Sequence, residues 1–130
     1  MNAVGDGASR GCPCGSGDSY AACCGPLHDG TVGAETAKDL MRSRYSAFVL
    51  RDEAYLLRTW HPRTRPERVG FEESPTWLGL SVVATADGRE GESVGEVEFE
   101  AAYVGGVLHE RSRFSRRAGR WVYVDGDVLS

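Results

Sequence analysis

The sequence predicts an α+β fold: two helices packed on one face of a curved antiparallel sheet, with a cysteine-bound knuckle ahead of them. Three observations carry this. Apolar residues recur at spacings of three and four between Ala37 and Val49, the period of one buried helix face. After Trp77 the pattern becomes alternation, broken by Asp87-Gly88, Gly105-Gly106 and Gly119, as in strands joined by tight turns. All four cysteines fall between Cys12 and Cys24. Helices that precede the strands, rather than alternate with them, belong on one side of an antiparallel sheet.

The cysteines come first. Cys12 and Cys14 are separated by eight residues from the adjacent pair Cys23 and Cys24. Four thiolates meet the tetrahedral demand of one zinc ion, and with all four committed the site is closed and structural. Gly15 and Gly17 can take positive φ and let the backbone fold back over the metal. Asp18 and Ser19 suit the N-cap of a short turn carrying Tyr20 to Cys24. Disulfides here would close loops so short that they remove little denatured-state entropy. A redox dithiol would be a C-x-x-C beside a βαβ unit. His28 is a substitute ligand ranked below Cys24. Tyr20, Leu27 and His28 are the expected exposed rim of the knuckle.

The chain has 130 residues, enough for one domain and an appendage. The expected divisions are a mobile N-terminus over 1–11, the knuckle over 12–30 and the main domain over 34–130. The N-terminus has neither a basic nor an apolar signal region, and no run of eighteen apolar residues exists, so a cytoplasmic protein outside the membrane is expected. A net charge of −4 argues against general nucleic-acid binding, which rests on basic patches. Arginines do cluster, at Arg58, Arg63, Arg65 and Arg68 and at Arg111, Arg113, Arg116, Arg117 and Arg120. They are read as solvated faces paired with nearby glutamates.

Thr36 caps the first helix, with Asp39 three residues on, and Ala37, Met41, Tyr45, Phe48 and Val49 form its apolar face. Asp52 caps a second helix over Glu53–Trp60, with Leu56, Leu57 and Trp60 inward. Pro62 disfavours a helical His61 and ends it. A surface loop follows to Pro75. Trp77–Thr85 reads as a strand with Leu78, Leu80, Val82 and Ala84 on one face. Glu96–Val104 alternates Val97, Phe99, Ala101 and Tyr103 against Glu96, Glu98 and Glu100. A Gly105-Gly106 turn sets Tyr103 opposite Leu108, Ala101 opposite Glu110, Phe99 opposite Ser112 and Val97 opposite Phe114. It also sets Glu100 against Arg111 and Glu98 against Arg113, and leaves His109, opposite Ala102, on the charged surface. Trp121–Val124 is the last strand, its inward face open.

Cys12-Pro13-Cys14-Gly15-Ser16-Gly17, with Tyr20 and Cys23-Cys24-Gly25, resembles the SEC-C motif found at the C-terminus of the translocase motor SecA. There the resemblance places the last ligand at Cys24, where the SecA form has histidine. Further motifs are Leu40-Met41-Arg42-Ser43-Arg44-Tyr45-Ser46-Ala47-Phe48, Thr59-Trp60-His61-Pro62, Trp77-Leu78-Gly79-Leu80 and His109-Glu110-Arg111-Ser112-Arg113-Phe114. Together they resemble the YchJ family of uncharacterised bacterial proteins. That resemblance implies a SEC-C zinc motif joined to a nuclear transport factor 2-like cone, whose sheet and helices enclose a pocket. For SecA it implies an acidic export chaperone and ribosomes as partners. Asp18 stands where many such knuckles carry Lys, which makes this knuckle the more acidic.

The candidate pocket gathers Tyr45, His61, Glu110 and Ser112, with Trp60, Trp77, Phe99, Tyr103 and Phe114 as walls. A carboxylate on an apolar strand face must find a partner or a proton. Glu110 is therefore either tied to Arg42, Arg44 or His61, or it transfers protons. The first reading is a zinc-binding adaptor: its knuckle contacts a protein of the translation or export machinery, and its cone holds a small apolar ligand or forms a homodimer. The alternative is a small isomerase- or dehydratase-like enzyme using Glu110 with His61 or Tyr45. The balance leans away from an enzyme.

Overall fold

The computed structural model describes residues 11–129. The expected mobile N-terminus lies outside the described residues but for Gly11. The chain begins with the knuckle, whose 3-10 turn Tyr20–Ala22 is capped by Ser19 Oγ accepting from Ala22 N. Helix α1 (Gly25–His28) follows directly on Cys24. Helix α2 spans Ala37–Leu50, and Thr36 Oγ1 accepts from Asp39 N at its start. Arg51, at φ 60°, closes it in the left-handed region. Helix α3 spans Glu53–Arg58 with the Asp52 side chain accepting from Tyr55 N, two residues shorter than expected. Tyr55 joins Leu56 in its buried face, while Leu57 and Trp60 are only half-buried.

Strands β1 (Trp77–Asp87), β2 (Val94–Tyr103), β3 (Gly106–Arg117) and β4 (Arg120–Val128) form one antiparallel sheet in chain order. The last strand outruns the expected Trp121–Val124, and Trp121 and Tyr123 pack onto the core. One bridge fastens the helical layer to it: His61 N donates to Tyr123 O and Tyr123 N to Thr59 O, each at 2.8 Å.

Two expectations about register fail. The β2–β3 turn is Val104-Gly105, with φ +106° at Gly105, and Tyr103 pairs with Gly106. Ala101 thus faces Leu108, Phe99 faces Glu110, Val97 faces Ser112 and Glu98 faces Arg111, each two residues from the expected partner. The cause is local. A Cβ at position 106 would lie 2.9 Å from Tyr103 Oη, so Gly106 makes room for the tyrosine ring and Gly105 takes the turn. A two-residue slip returns every side chain to its face, unlike a slip of one. In β1, irregularities between Trp77 and Gly79 and between Val82 and Ala84 break the alternation. Leu78 is consequently 65% exposed and Ala84 sits opposite Glu98, whereas Leu80 and Val82 face the core as expected.

The core fills the space between α2 and the sheet with Leu40, Met41, Tyr45, Val97, Phe99, Phe114 and Trp121. Cys12, Cys14 and Cys24 belong to the same buried cluster, so the knuckle is built into the helical layer. On the opposite face Arg111 bonds Glu98 at 2.8 Å, and Arg113 bonds Asp125 and Asp127 at 2.6 and 2.8 Å. His109 Nε2 donates to Glu98 Oε2 there, at 2.6 Å.

Candidate functional site

Two centres lie on either side of α2. The first is the cysteine cluster. The four Sγ atoms all lie within 4.8 Å of one another, and none is in a disulfide. Cys14 and Cys23 are 3.5 Å apart and Cys23 and Cys24 3.9 Å. A tetrahedral ion with 2.3 Å bonds to sulfur sets ligands about 3.8 Å apart, so the cluster has the size of a site that could hold a metal ion. Positive φ at Gly15 and Gly17, +81° and +94°, folds the strap over it.

Electrostatics point the same way. A hydrogen bond from Cys24 holds the Cys14 thiol at about 4, far below its usual range. Burial pushes Cys23 up to about 11, and Cys24 is raised further, first because its own thiol serves Cys14. A bound dication would favour the thiolate forms of the clustered cysteines.

Helix α2 supplies the surrounding bonds. Ser46 Oγ donates to Cys24 Sγ at 3.3 Å and lies 3.5 Å from Cys12 Sγ; Arg42 Nη1 donates to Cys14 O at 3.0 Å. From the knuckle itself, Ser16 Oγ donates to Cys23 Sγ at 3.1 Å. Sequence reasoning missed Ser46 and Arg42. Their signal was spacing: positions 42 and 46 are one turn apart on a single helix face.

His28 does not stand in the exposed rim expected of it: it is buried, at 8% exposure. Its Nε2 donates to Ser43 O at 2.8 Å and its Nδ1 accepts from Tyr20 Oη at 2.7 Å. Both ring nitrogens are thus engaged away from the cysteines, and Tyr20 is committed with them. Leu27 is half-buried against Ala47, Tyr55 and Leu56.

The second centre is a cavity of about 170 Å³ between α2 and the sheet. Of the expected pocket residues, Tyr45, Trp60, Trp77, Phe99, Glu110, Ser112 and Phe114 line it. Tyr103 stands behind Trp77, ring centroids 5.8 Å apart. His61 is outside: its Nδ1 accepts from Arg63 N in the loop. Met41, Arg44, Phe48 and Tyr123 also line the cavity.

Glu110 is bound to no base. Its Oε2 accepts from Ser112 Oγ at 2.8 Å, and its carboxylate lies against Gly126, where a Cβ would collide with it. Arg44, one of the three bases expected to tie it alongside Arg42 and His61, is 5% exposed and instead donates from Nη1 to Leu56 O and Thr59 Oγ1, at 2.9 and 2.7 Å. Its guanidinium stacks 4.8 Å from the ring centroids of Trp60 and Tyr123. Burial lowers its pKa to about 10 and raises that of Tyr123 to about 12. Two further donors are unsatisfied: Trp60 Nε1 and Trp77 Nε1 are buried without a hydrogen-bond partner.

Among the described residues no helix is long and apolar enough to cross a membrane. A model of the YchJ middle NTF2-like domain matches residues 36–126, and a model of the SEC-C motif matches 11–26. The UPF0225 protein SCO1677 of Streptomyces coelicolor is 57% identical over 118 residues, covering 91% of this chain and 95% of that one. A UPF0225 protein of Streptomyces avermitilis is 59% identical over 118 residues, 91% of this chain and 84% of its own. Among solved structures, that of RPA3114, a SEC-C motif containing protein from Rhodopseudomonas palustris, superposes with a TM-score of 0.79 at 37% identity. It covers 92% of this chain and 99% of that one. A SEC-C motif containing protein from Psychrobacter arcticus gives 0.75 at 29% identity, over 95% and 85% of the two chains. The chain therefore belongs to the UPF0225 family, in which a SEC-C motif is joined to a YchJ middle NTF2-like domain.

Proposed function

We propose that this chain is a small-molecule-binding protein: its cone holds one compact, largely apolar ligand, and its four cysteines hold a structural zinc ion. The observation that carries the first part is the cavity of about 170 Å³ walled mainly by apolar and aromatic side chains, among them Met41, Tyr45, Trp60, Trp77, Phe99 and Phe114. The size suits a single ring, since an apolar cavity of about 150 Å³ accepts benzene. Ligand binding is favoured over acid–base catalysis because His61 lies outside and Glu110 is held by a serine.

Zinc is favoured over other ions by four sulfur ligands at tetrahedral spacing. The four cysteines would hold it and Ser16 and Ser46 would tune their sulfurs. Its role is to fasten the strap to α2.

The test uses the three tryptophans, whose indole N–H groups give three NMR signals. Titration with benzamide is expected to move the signals of Trp60 and Trp77, while Trp121, whose Nε1 already donates to Glu35 O, stays in place. If millimolar benzamide, phenol and toluene all leave the three signals unmoved, the ligand reading fails. Recruitment of a protein partner is a second reading, supported by the exposed Gly15–Asp18 turn. It predicts that Asp18→Arg changes what the purified chain captures while leaving its metal content at one equivalent.

A further inference from the structure

Two groups of arginines on this chain contrast. On the outer sheet face Arg111 and Arg113 are neutralised by carboxylates. Those around a second, open groove of about 590 Å³ are not. The groove lies between the Gly30–Ala34 connection, the end of α3 and the β3–β4 hairpin tip, and four guanidinium-bearing residues line it: Arg58, Arg65, Arg117 and Arg120. Among the described residues no Asp or Glu lines it, and none of the four takes part in an ion pair. Arg58 is fixed by neutral groups alone. Its Nη2 donates to His28 O at 2.7 Å and Leu27 O at 3.3 Å, and its guanidinium lies 4.8 Å from the Tyr55 ring centroid.

Four uncompensated cations converge here on a chain whose net charge is −4. Concentrating one sign of charge in a cleft is unfavourable for the folded chain by itself and attracts the opposite charge. The guanidinium fork matches phosphate oxygens in pairs. A phosphate carries about −1.5 to −2, so about two of them balance four arginines. The groove is larger than a diphosphate requires and falls within the usual range for organic ligands. Leu27, Pro62 and Val122 offer it apolar wall. The geometry points to a second binding site in this groove, for an organic diphosphate.

The test is calorimetric titration of the purified, metal-loaded full chain at about 0.15 M salt, where distant surface charges are screened. The probes are ADP, inorganic pyrophosphate, adenosine and sulfate. ADP and pyrophosphate should bind, and adenosine and sulfate should not. The Arg117→Gln/Arg120→Gln double variant, confined to an exposed hairpin tip, should weaken ADP at least tenfold, with an unchanged circular dichroism melt. Arg89→Gln, on a side chain outside the groove, should leave binding unchanged. Equal weakening by Arg89→Gln reduces the effect to net charge and overturns the site, as does undiminished binding by the double variant or no binding of ADP and pyrophosphate. A decauridylate that binds while both diphosphates fail assigns the groove to an RNA backbone and overturns the diphosphate assignment. None of these outcomes depends on the cone cavity.

Discussion

His28 sits where a metal ligand and a structural anchor would look alike in the sequence, and His28→Leu separates them. Leucine retains an apolar body against the rings of Tyr20 and Tyr55, which lie 5.5 and 4.5 Å from the imidazole. It removes two hydrogen bonds, to Ser43 O and from Tyr20 Oη. Each is worth about 1 kcal/mol net, so the loss is about 2 kcal/mol. Ser43 is fully buried, which leaves its carbonyl without a water to replace the imidazole; Tyr20 is half-buried and can turn its hydroxyl outward. At this chain length 1 kcal/mol corresponds to about 3–6 °C, which sets the expected fall in Tm at about 6–12 °C. Metal content, read by elemental analysis of the purified variant, should stay at one zinc per chain, because the four sulfurs are untouched. A variant that melts like the wild type but carries no zinc would refute the reasoning and make His28 a ligand.

Three other outcomes follow from the packing. Gly95→Ala puts a methyl group against the backbone of Gly88 and 3.2 Å from the Ala37 Cβ; the overpacking should destabilise by about 1–3 kcal/mol in urea unfolding. Cys14→Ser should abolish stoichiometric zinc and loosen the strap, seen as rapid proteolysis before Gly25, because three sulfurs no longer close the tetrahedron. Burial raises the Tyr123 pKa to about 12 from the ordinary 10. Below pH 10 the phenol is protonated in both folded and unfolded chains. Between about 10 and 12 only the unfolded chain ionises, so stability falls as pH rises through that window. Tyr123→Phe should flatten part of this alkaline loss, with the remainder carried by Tyr20, Tyr45 and Tyr55, which burial also raises.

How far the sequence reached depended on which physical signal each residue used. The cavity walls Phe99, Ser112 and Phe114 were legible from alternation alone, and they survived a wrong hairpin because the register moved by two and every residue kept its face. A one-residue slip of β3 would have turned Ser112 and Phe114 to the face opposite Phe99. Leu78 was misplaced because a bulge depends on a partner strand, and no local pattern records it. His61 was misplaced for a related reason. Its loop is positioned by the bridge between Trp60 and Tyr123, a contact across more than sixty residues that leaves no mark in either segment.

The two centres are read differently for the same reason that they are neighbours. α2 carries Arg42 and Ser46 toward the cysteines and Met41, Tyr45 and Phe48 toward the cavity, so one helix positions both. Its apolar period announces the cavity side, while its polar side looks like ordinary solvated surface in the sequence. Only burial distinguishes them: Ser43 and Ser46 are fully buried and Arg44 nearly so. A set of buried polar groups is costly unless each is bonded. Here Ser43 Oγ donates to Leu40 O and accepts from Tyr55 Oη, at 2.7 and 2.6 Å, Ser46 serves sulfur, and Arg44 serves carbonyl and hydroxyl. The helix is therefore held by the knuckle as well as by the sheet. Loss of the metal should be felt at the cavity, through α2, before it is felt in the outer strands.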